Sequence, residues 1–531
     1  MSSLATKGEN KKKMNKKQKT IVLVILDGWG VGDKDPRTNA IEAAKTPFYD
    51  HLLRSYPNTI LKASGIDVGL EKNQMSGSET GHLNIGAGRI VKQDVRIILE
   101  EINDGKFFNN PVFLSTINHI KKTGGAIHLM GLMGNSDSPH SHPDIFLALL
   151  LFLKKHDVKK VFFHLFTDGR DSFPKSALEH WEKWKKMISN AGIGKLATVS
   201  GRFYAMDRTK NWERLIRAYD TMTKGVGMKA ESMEEAVEKS YKIGNTDEFL
   251  EPTVITEKGK PVAKIKEGDG IFFFNFRSDR ARELSKFFVG TKIKEEIDLK
   301  MKKYKKLSFV AMTEFGPDLN LKTAYPSSPI INTMPSLMQD YKQLYISGSE
   351  KYAHVTYFIN GGYPNPVDGE ERIVVSSPSV RSYAEKPEMS SEEITGLIEQ
   401  YLENDIYNYI VVNFPNADMV GHTGSYHATI RAVECLDEKL KRIYSKVVSK
   451  GGTLVVTADH GNADIIVDPE TSRPFSFHTK NPVPFIIATE EKEFHNLKLQ
   501  KNGKLANILP TILEIAGVDA PKGLEKSLIM R

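Results

Sequence analysis

Cysteine is nearly absent: Cys435 is the single thiol in 531 residues, which excludes an internal disulfide and leads us to expect a reducing, cytoplasmic setting. Long apolar runs are absent too. None approaches the roughly 18–20 residues that a bilayer-crossing helix needs, so a membrane is not expected among the partners. No Walker-type glycine–lysine pattern occurs, which argues against a P-loop nucleotide site. Positive charge looks abundant at +8, but it is local. Residues 1–20 hold seven lysines and one glutamate, hence +6, and the remaining body carries only +2. A nucleic-acid partner is therefore not expected. The tail is polar and without apolar periodicity, so it is expected to be disordered, and it has neither the apolar core of a secretion signal nor an arginine-rich amphipathic pattern.

The chain is too long for one hydrophobic core, and its balance of 40% hydrophobic and 26% charged residues is that of a globular protein with two or three domains. Three continuous apolar runs end abruptly in acidic or histidine residues. Ile21 to Leu26 meets Asp27-Gly28-Trp29-Gly30, Tyr409 to Asn413 leads to Asp418 and His422, and Thr453 to Thr457 leads to Asp459-His460-Gly461-Asn462. Such runs read as buried strands of a parallel sheet, with helices such as Ser391 to Glu403 and Ala428 to Ser449 between them. Open α/β sheets carry ligand sites beyond the carboxyl ends of their strands, so three such ends point to one shared site. Because the contributing segments are far apart in sequence, a discontinuous domain (21–93 and 320–531) interrupted by an inserted one (94–319) is the simplest arrangement. Within the insert, Ala126 to Met130, Lys160 to Phe166, Leu196 to Ser200, Ile271 to Asn275 and Leu307 to Met312 read as strands, with a helix over Ser176 to Asn190. The fold class expected is two α/β domains.

Asp418, His422, Asp459, His460 and His478 offer the carboxylate and imidazole mixture that suits divalent ions, and Asp27 adds a third carboxylate. Asp459 and His460 are adjacent, and neighbouring side chains along a strand point to opposite faces, which favours two ions over one. A single Asp after a strand is more often a helix cap, but six such residues at or near strand ends outweigh that reading. Two divalent ions against three carboxylates leave net positive charge, suited to a phosphorylated substrate. The stretch from Gln74 to Arg89 is rich in small residues and reads as a loop. A serine there, beside a metal, can ionise without a dedicated base, although chemistry alone does not rank Ser76 against Ser78.

The Gln74-Met75-Ser76-Gly77-Ser78-Glu79-Thr80-Gly81-His82 segment resembles the catalytic serine loop of cofactor-independent phosphoglycerate mutases, of the alkaline phosphatase superfamily. The resemblance runs from Val22 to beyond His478 and includes Leu26-Asp27-Gly28-Trp29-Gly30, Thr457-Ala458-Asp459-His460-Gly461-Asn462-Ala463-Asp464 and His478-Thr479-Lys480-Asn481-Pro482. It implies an alkaline-phosphatase-like metal domain, with Ser78 as the nucleophile. One metal would be held by Asp418, His422 and His478, and a second by Asp27, Ser78, Asp459 and His460. Manganese comes first among the metals, ahead of magnesium, cobalt and zinc. Two departures stand out: Gly77 replaces the Asn that usually precedes the serine, and Asp137-Ser138-Pro139 replaces a Gly-Gly-Val before His140, while His140 and His142 are kept.

The insert carries arginines at or soon after its strand ends: Arg170, Arg202, Arg208, Arg277 and Arg280. Guanidinium groups bind phosphate and carboxylate in bidentate fashion, and five so placed exceed what chance surface positions give. The resemblance implies that these five, with His140 and Asp171, contact a glycerate, that Asp171 handles protons on its hydroxyls, and that Lys351 reaches in from the metal domain. His354 reads as structural, and Phe272-Phe273-Phe274 and Phe162-Phe163 as strand core. The implied reaction interconverts 3-phosphoglycerate and 2-phosphoglycerate through a phosphoserine, in a monomer whose domains close to keep water out. A phosphatase or a phosphopentomutase of the same superfamily is the alternative.

Overall fold

The computed structural model describes residues 18–530, leaving out 137, 291–303, 317, 368 and 492–496. The expected disorder of the tail and the altered position 137 therefore lie outside the described residues, apart from 18–20. Two compact units emerge, one from the chain up to Lys92 together with Pro329–Arg531, the other from Gln93–Ser328.

The first unit is built on an eight-stranded sheet. Its centre is Ile21–Leu26, paired in parallel with Tyr409–Phe414 on one side and Thr453–Thr457 on the other. Gln343–Gly348 and Glu370–Val375 extend the parallel part. Every residue of Ile21–Leu26, Tyr409–Phe414 and Thr453–Thr457 is buried, as strands covered by helices on both faces must be. Beyond Thr453–Thr457 the sheet turns antiparallel through Val483–Thr489 and Asn58–Lys62. Asn58–Lys62 buries only Leu61, so no apolar run marks it as a strand, and its place comes from pairing with Val483–Thr489.

The second unit is a nine-stranded, mostly parallel sheet with Gly270–Phe273, Ile127–Leu132, Val161–Thr167 and Lys195–Gly201 adjacent in that order. Helices Pro143–Lys155 and Ala177–Ala191 bury Leu149, Phe152, Trp181 and Trp184. Phe272, Phe273, Phe274 and Phe163 are core residues, as the sequence indicated, whereas Phe162, on the opposite face of its strand from Phe163, is only half-buried. Below them lies a wholly buried polar chain. His128 Nδ1 is 2.9 Å from His164 Nε2, His128 Nε2 is 3.2 Å from Asp269 Oδ2, and His164 Nδ1 is 2.9 Å from Thr198 Oγ1.

The small-residue segment is not a loop throughout: Ser78–Ala87 is an α-helix starting at the serine itself. Its glycines serve close approach instead of flexibility. A Cβ at Gly81 would lie 2.6 Å from the Asp459 carbonyl oxygen, and one at Gly86 would lie 2.0 Å from the Ile359 carbonyl oxygen. The helix can therefore press its backbone onto two neighbouring segments, which a bulkier sequence would prevent.

Two tests follow from this packing. Gly86→Ala should lower stability by about 1–3 kcal/mol in urea unfolding, since the helix must move off Ile359. Gly396→Ala, in the open middle of helix Ser391–Glu403, should instead raise it by about 0.5–1 kcal/mol. The buried histidine chain predicts a pH effect. Burial, then the neighbouring His128, hold His164 well below the usual 6.5. The unfolded chain takes up a proton that folded His164 refuses, so stability is intact above pH 6.5 and falls below it by about 1.4 kcal/mol per pH unit. Melting temperatures of wild type and His164→Gln between pH 7.5 and 5 should converge as the pH falls.

Candidate functional site

Three carboxylates meet at the carboxyl end of the first sheet. Asp27 follows the Ile21–Leu26 strand, Asp418 sits in the short helix Asn416–Gly421 after Tyr409–Phe414, and Asp459 follows Thr453–Thr457. All three are at most 1% exposed. The turn after Ile21–Leu26 depends on Gly28, whose φ of +77° is left-handed and whose Cβ would stand 2.7 Å from Asp418 Cα. That close approach brings Asp418 beside Asp27.

One group gathers around Asp418 Oδ1, with His422 Nε2 at 3.3 Å and His478 Nε2 at 3.4 Å. The far nitrogens are fixed by backbone: His422 Nδ1 is 2.8 Å from Ser476 O, and His478 Nδ1 is 2.8 Å from Ser76 O. Both Nε2 atoms thus face the same point, and the three residues form a metal-ligand group. A second gathering surrounds Ser78, whose Oγ lies 3.0 Å from His460 Nε2 and donates to Asp27 Oδ1 at 3.3 Å. Asp27 takes part in two more ligand groups, one with His82 and Asp459, the other with Asp418 and His460. The Oγ of Ser76 turns instead to the carbonyl of Gly77.

Asp459 and His460 do not point to opposite faces, contrary to the expectation from strand alternation. His460 Nε2 is 3.5 Å from Asp459 Oδ2. Both residues lie past the last strand residue, Thr457, in a bend where the pleat no longer sets side-chain direction.

Lys351 closes the arrangement. Its Nζ donates to Asp27 Oδ1 at 2.7 Å, to Asp418 Oδ2 at 2.6 Å and to Ser78 Oγ at 2.5 Å. Burial favours the neutral amine, but Asp27, Asp418 and Asp459 outweigh it and raise the Lys351 pKa, so the side chain stays an ammonium. Burial, then Asp459, push Asp27 up, whereas Lys351 and the hydrogen bonds with His422 and His478 overcome burial and hold Asp418 well below the usual carboxylate range.

Three polar residues that the sequence reading passed over support these ligands. Asn413 Nδ2 donates to Asp27 Oδ2 at 2.8 Å and lies 3.0 Å from His82 Nε2. His82, one helical turn after Ser78, brings its Nδ1 within 3.2 Å of Asp459 Oδ2. Asn462 Nδ2 donates to Asp418 Oδ1 at 3.0 Å. The signal for His82 was its i+4 spacing from Ser78 on a helix, hidden while the segment read as a loop. His354 stacks on Phe358 at 5.4 Å between ring centres, a packing role.

The residues suit a divalent cation. Asp459 Oδ2 is buried with the His82 and His460 imidazoles at 3.2 and 3.5 Å, and the carboxylates and imidazoles around it form metal-ligand groups.

In the second unit the polar residues cluster at the ends of Val161–Thr167 and Lys195–Gly201. Arg202, only 2% exposed, donates from Nη1 to Asp168 Oδ1 at 2.6 Å and to Asp171 Oδ2 at 2.5 Å, and its Nη2 is 3.0 Å from His140 Nε2. His140 Nε2 is also 3.3 Å from Asp171 Oδ2. The hydrogen bond from His140, with Arg202 beside it, holds the Asp171 carboxyl well below its usual range against burial. Arg208 and Arg277 share Asp279, at 2.7 and 3.1 Å. Arg170 pairs with Glu248 at 3.2 Å, and Arg280 donates to Met206 O at 3.2 Å. Arg280 is lowered by burial and then by the charges of Arg202, Arg208 and Arg170, the signature of cations gathered together.

This chain, with Asp and His at its strand ends around a buried serine at a helix start, matches the family model of the metalloenzyme superfamily over residues 19–520. The chain is 45% identical over 508 residues to a 2,3-bisphosphoglycerate-independent phosphoglycerate mutase of Clostridioides difficile, covering 95% of this chain and 98% of that one. It is 43% identical over 516 residues to the Clostridium perfringens enzyme of the same name, covering 97% and 99%. Among solved structures it resembles a Leishmania mexicana phosphoglycerate mutase studied at low cobalt concentration, with a TM-score of 0.73, 27% identity and 97% and 98% coverage. The chain belongs to the 2,3-bisphosphoglycerate-independent phosphoglycerate mutases, and as a member of the metalloenzyme superfamily with these ligand groups it binds divalent metal ions.

Removing divalent ions with a chelator should lower the melting temperature, and restoring them at a hundredfold over Kd should return about 2.7 kcal/mol. Asn462→Ala removes one hydrogen bond from Asp418 and should weaken metal affinity by about 10- to 100-fold in calorimetric titration, and because both residues are buried it should also lower apo stability by about 1–3 kcal/mol.

Proposed function

We propose that this enzyme interconverts 3-phosphoglycerate and 2-phosphoglycerate by way of a phosphoserine on Ser78, without bisphosphoglycerate. The observation that carries the reading is the placement of Ser78 Oγ, buried within hydrogen-bond reach of Asp27, His460 and Lys351. The phosphatase and phosphopentomutase alternatives would use such a serine equally well. Near-complete coverage of mutases at 43–45% identity, together with the arginine cluster of the second unit, supports the glycerate mutase over them.

Asp418, His422 and His478 would hold one divalent ion, and Asp27, Ser78, Asp459 and His460 a second. We favour manganese. When bound, such ions favour the serine alkoxide and neutralise charge on a transferring phosphoryl group. Ser78 opens the Ser78–Ala87 helix, with Gly77 before it offering no side-chain cap, so its hydroxyl stands at the positive end of the helix dipole, where an anionic oxygen is favoured. Lys351 supplies a fixed positive charge beside Ser78 Oγ, aimed at the same oxygens. His82 and Asn413 keep Asp459 and Asp27 turned toward the serine.

Glycerate would be held in the second unit by Arg170, Arg202, Arg208, Arg277 and Arg280 through its carboxylate. His140 and Asp171, in contact with each other, would hold and move the proton of its hydroxyls. Asp171 enters the reaction as a carboxylate, because His140 and Arg202 keep it ionised. Burial keeps His140 below its ordinary value, so it enters as a neutral imidazole that can accept a proton. Glycerate has to remain on these groups while Ser78 carries the phosphate, since water reaching phosphoserine would release free phosphate. Among the described residues no helix is long and apolar enough to cross a membrane. We place the enzyme in the cytoplasm as a monomer.

The test is a coupled assay with 3-phosphoglycerate and no bisphosphoglycerate, on protein stripped of metal and resupplied with manganese. Activity should return with the metal and fall at least about a thousandfold in Ser78→Ala. Release of free phosphate alone would make the enzyme a phosphatase.

A further inference from the structure

Asp279 stands among the arginines as a carboxylate that no substrate provides. Its Oδ2 accepts from Arg208 Nη1 at 2.7 Å and its Oδ1 from Arg277 Nε at 3.1 Å, so the two oxygens satisfy two guanidinium groups at once. The side chain is one-third exposed, with Arg208 and Arg277 exposed to a similar or greater degree. A carboxylate bridging two arginines in this way has the same shape and charge as the carboxylate of a glycerate.

We propose that Asp279 is a built-in stand-in for the substrate carboxylate, occupying Arg208 and Arg277 in the free enzyme and giving way when glycerate binds; this rests on the assignment of the arginine cluster to glycerate.

The physical case has two parts. Gathered guanidinium groups repel one another, and Arg280 already feels the charges of Arg202, Arg208 and Arg170. An internal counter-anion removes part of that repulsion when no substrate is present. The same anion also screens ligands. A simple inorganic anion must displace a bridging carboxylate and gains little beyond it, whereas a phosphoglycerate or glycerate adds further contacts and so offsets the displacement. Asp279 is thus a specificity-determining residue acting through Arg208 and Arg277. It is distinct from Asp171, which is held by His140 and Arg202.

The proposal makes a prediction of unusual sign. If Asp279 merely positioned the arginines, removing its charge would weaken anion binding. If it occupies their binding edges, removing its charge should strengthen it. The experiment is calorimetric titration of the full-length, metal-loaded enzyme with sulfate, for wild type, Asp279→Asn and Asp279→Ala, with each variant's melting temperature checked first. Asp279→Asn, which keeps size and one acceptor, should bind sulfate roughly tenfold tighter, the worth of one charge-assisted contact. In the mutase assay sulfate should become a correspondingly stronger inhibitor, while kcat changes less than the ratio of sulfate affinity to KM for 3-phosphoglycerate. Unchanged or weaker sulfate binding by a folded Asp279→Asn overturns the proposal. If that variant does not fold, the comparison passes to Asp279→Ala, with the same two outcomes. Sulfate titration needs no turnover, so a wild type without mutase activity would count against the functional reading and leave this test standing.

Discussion

Three carboxylates buried side by side at the end of one sheet are the constraint on which the rest of this molecule depends. Asp27, Asp418 and Asp459 are shut away from water, and like charges at such spacing raise one another's free energy steeply where the dielectric is low. The fold answers with one ammonium and a set of imidazoles. Lys351 bridges Asp27 and Asp418, and the imidazoles of His422, His460 and His478 turn toward the same oxygens. One ammonium does not balance three carboxylates, and Asp459 Oδ2 has only the His82 and His460 imidazoles beside it, at 3.2 and 3.5 Å. That deficit of positive charge is what divalent ions supply, so metal binding and the integrity of this corner of the fold are coupled.

Such convergence needs backbone to approach backbone more closely than most side chains allow. Gly28 lets Asp418 come up behind Asp27, and Gly81 lets the serine helix rest on the Asp459 carbonyl. The consequence is that Ser78 is held at a helix start, over the charged cluster, with its hydroxyl fixed by three partners. The position of this hydroxyl is thus a property of close packing as much as of its neighbours' chemistry.

The second unit solves the mirror problem. Here guanidinium groups gather, and carboxylates hold them: Asp168 and Asp171 on Arg202, Asp279 on Arg208 and Arg277. A buried Arg202 would be prohibitive alone, and paired with two carboxylates it becomes a rigid fixture. Positive charge and the negative charge that holds it in place are interleaved in the sequence itself, as in Arg277-Ser278-Asp279-Arg280.

The sequence by itself determined the strands that bury both faces, because Ile21–Leu26, Tyr409–Phe414 and Thr453–Thr457 are continuous apolar runs and nothing but a covered sheet accommodates them. It also marked Asp and His at their ends as a place for metal chemistry, and its motifs identified the family. Tertiary structure decided the rest. Asn58–Lys62 has no run to reveal it and is a strand only through its partner. Ser78–Ala87 is a helix although two glycines weaken its propensity, because packing against Asp459 and Ile359 outweighs a local preference of about 1 kcal/mol per glycine. Ser78 and Ser76, which residue chemistry alone did not rank, differ in the structure: only the Ser78 hydroxyl lies within reach of His460 and Asp27. Lys351, 273 residues from Ser78, reaches its hydroxyl only because the fold places them together, and no local pattern encodes that contact. Periodicity and propensity act over a few residues, whereas charge compensation acts across whatever distance in sequence the chain closes.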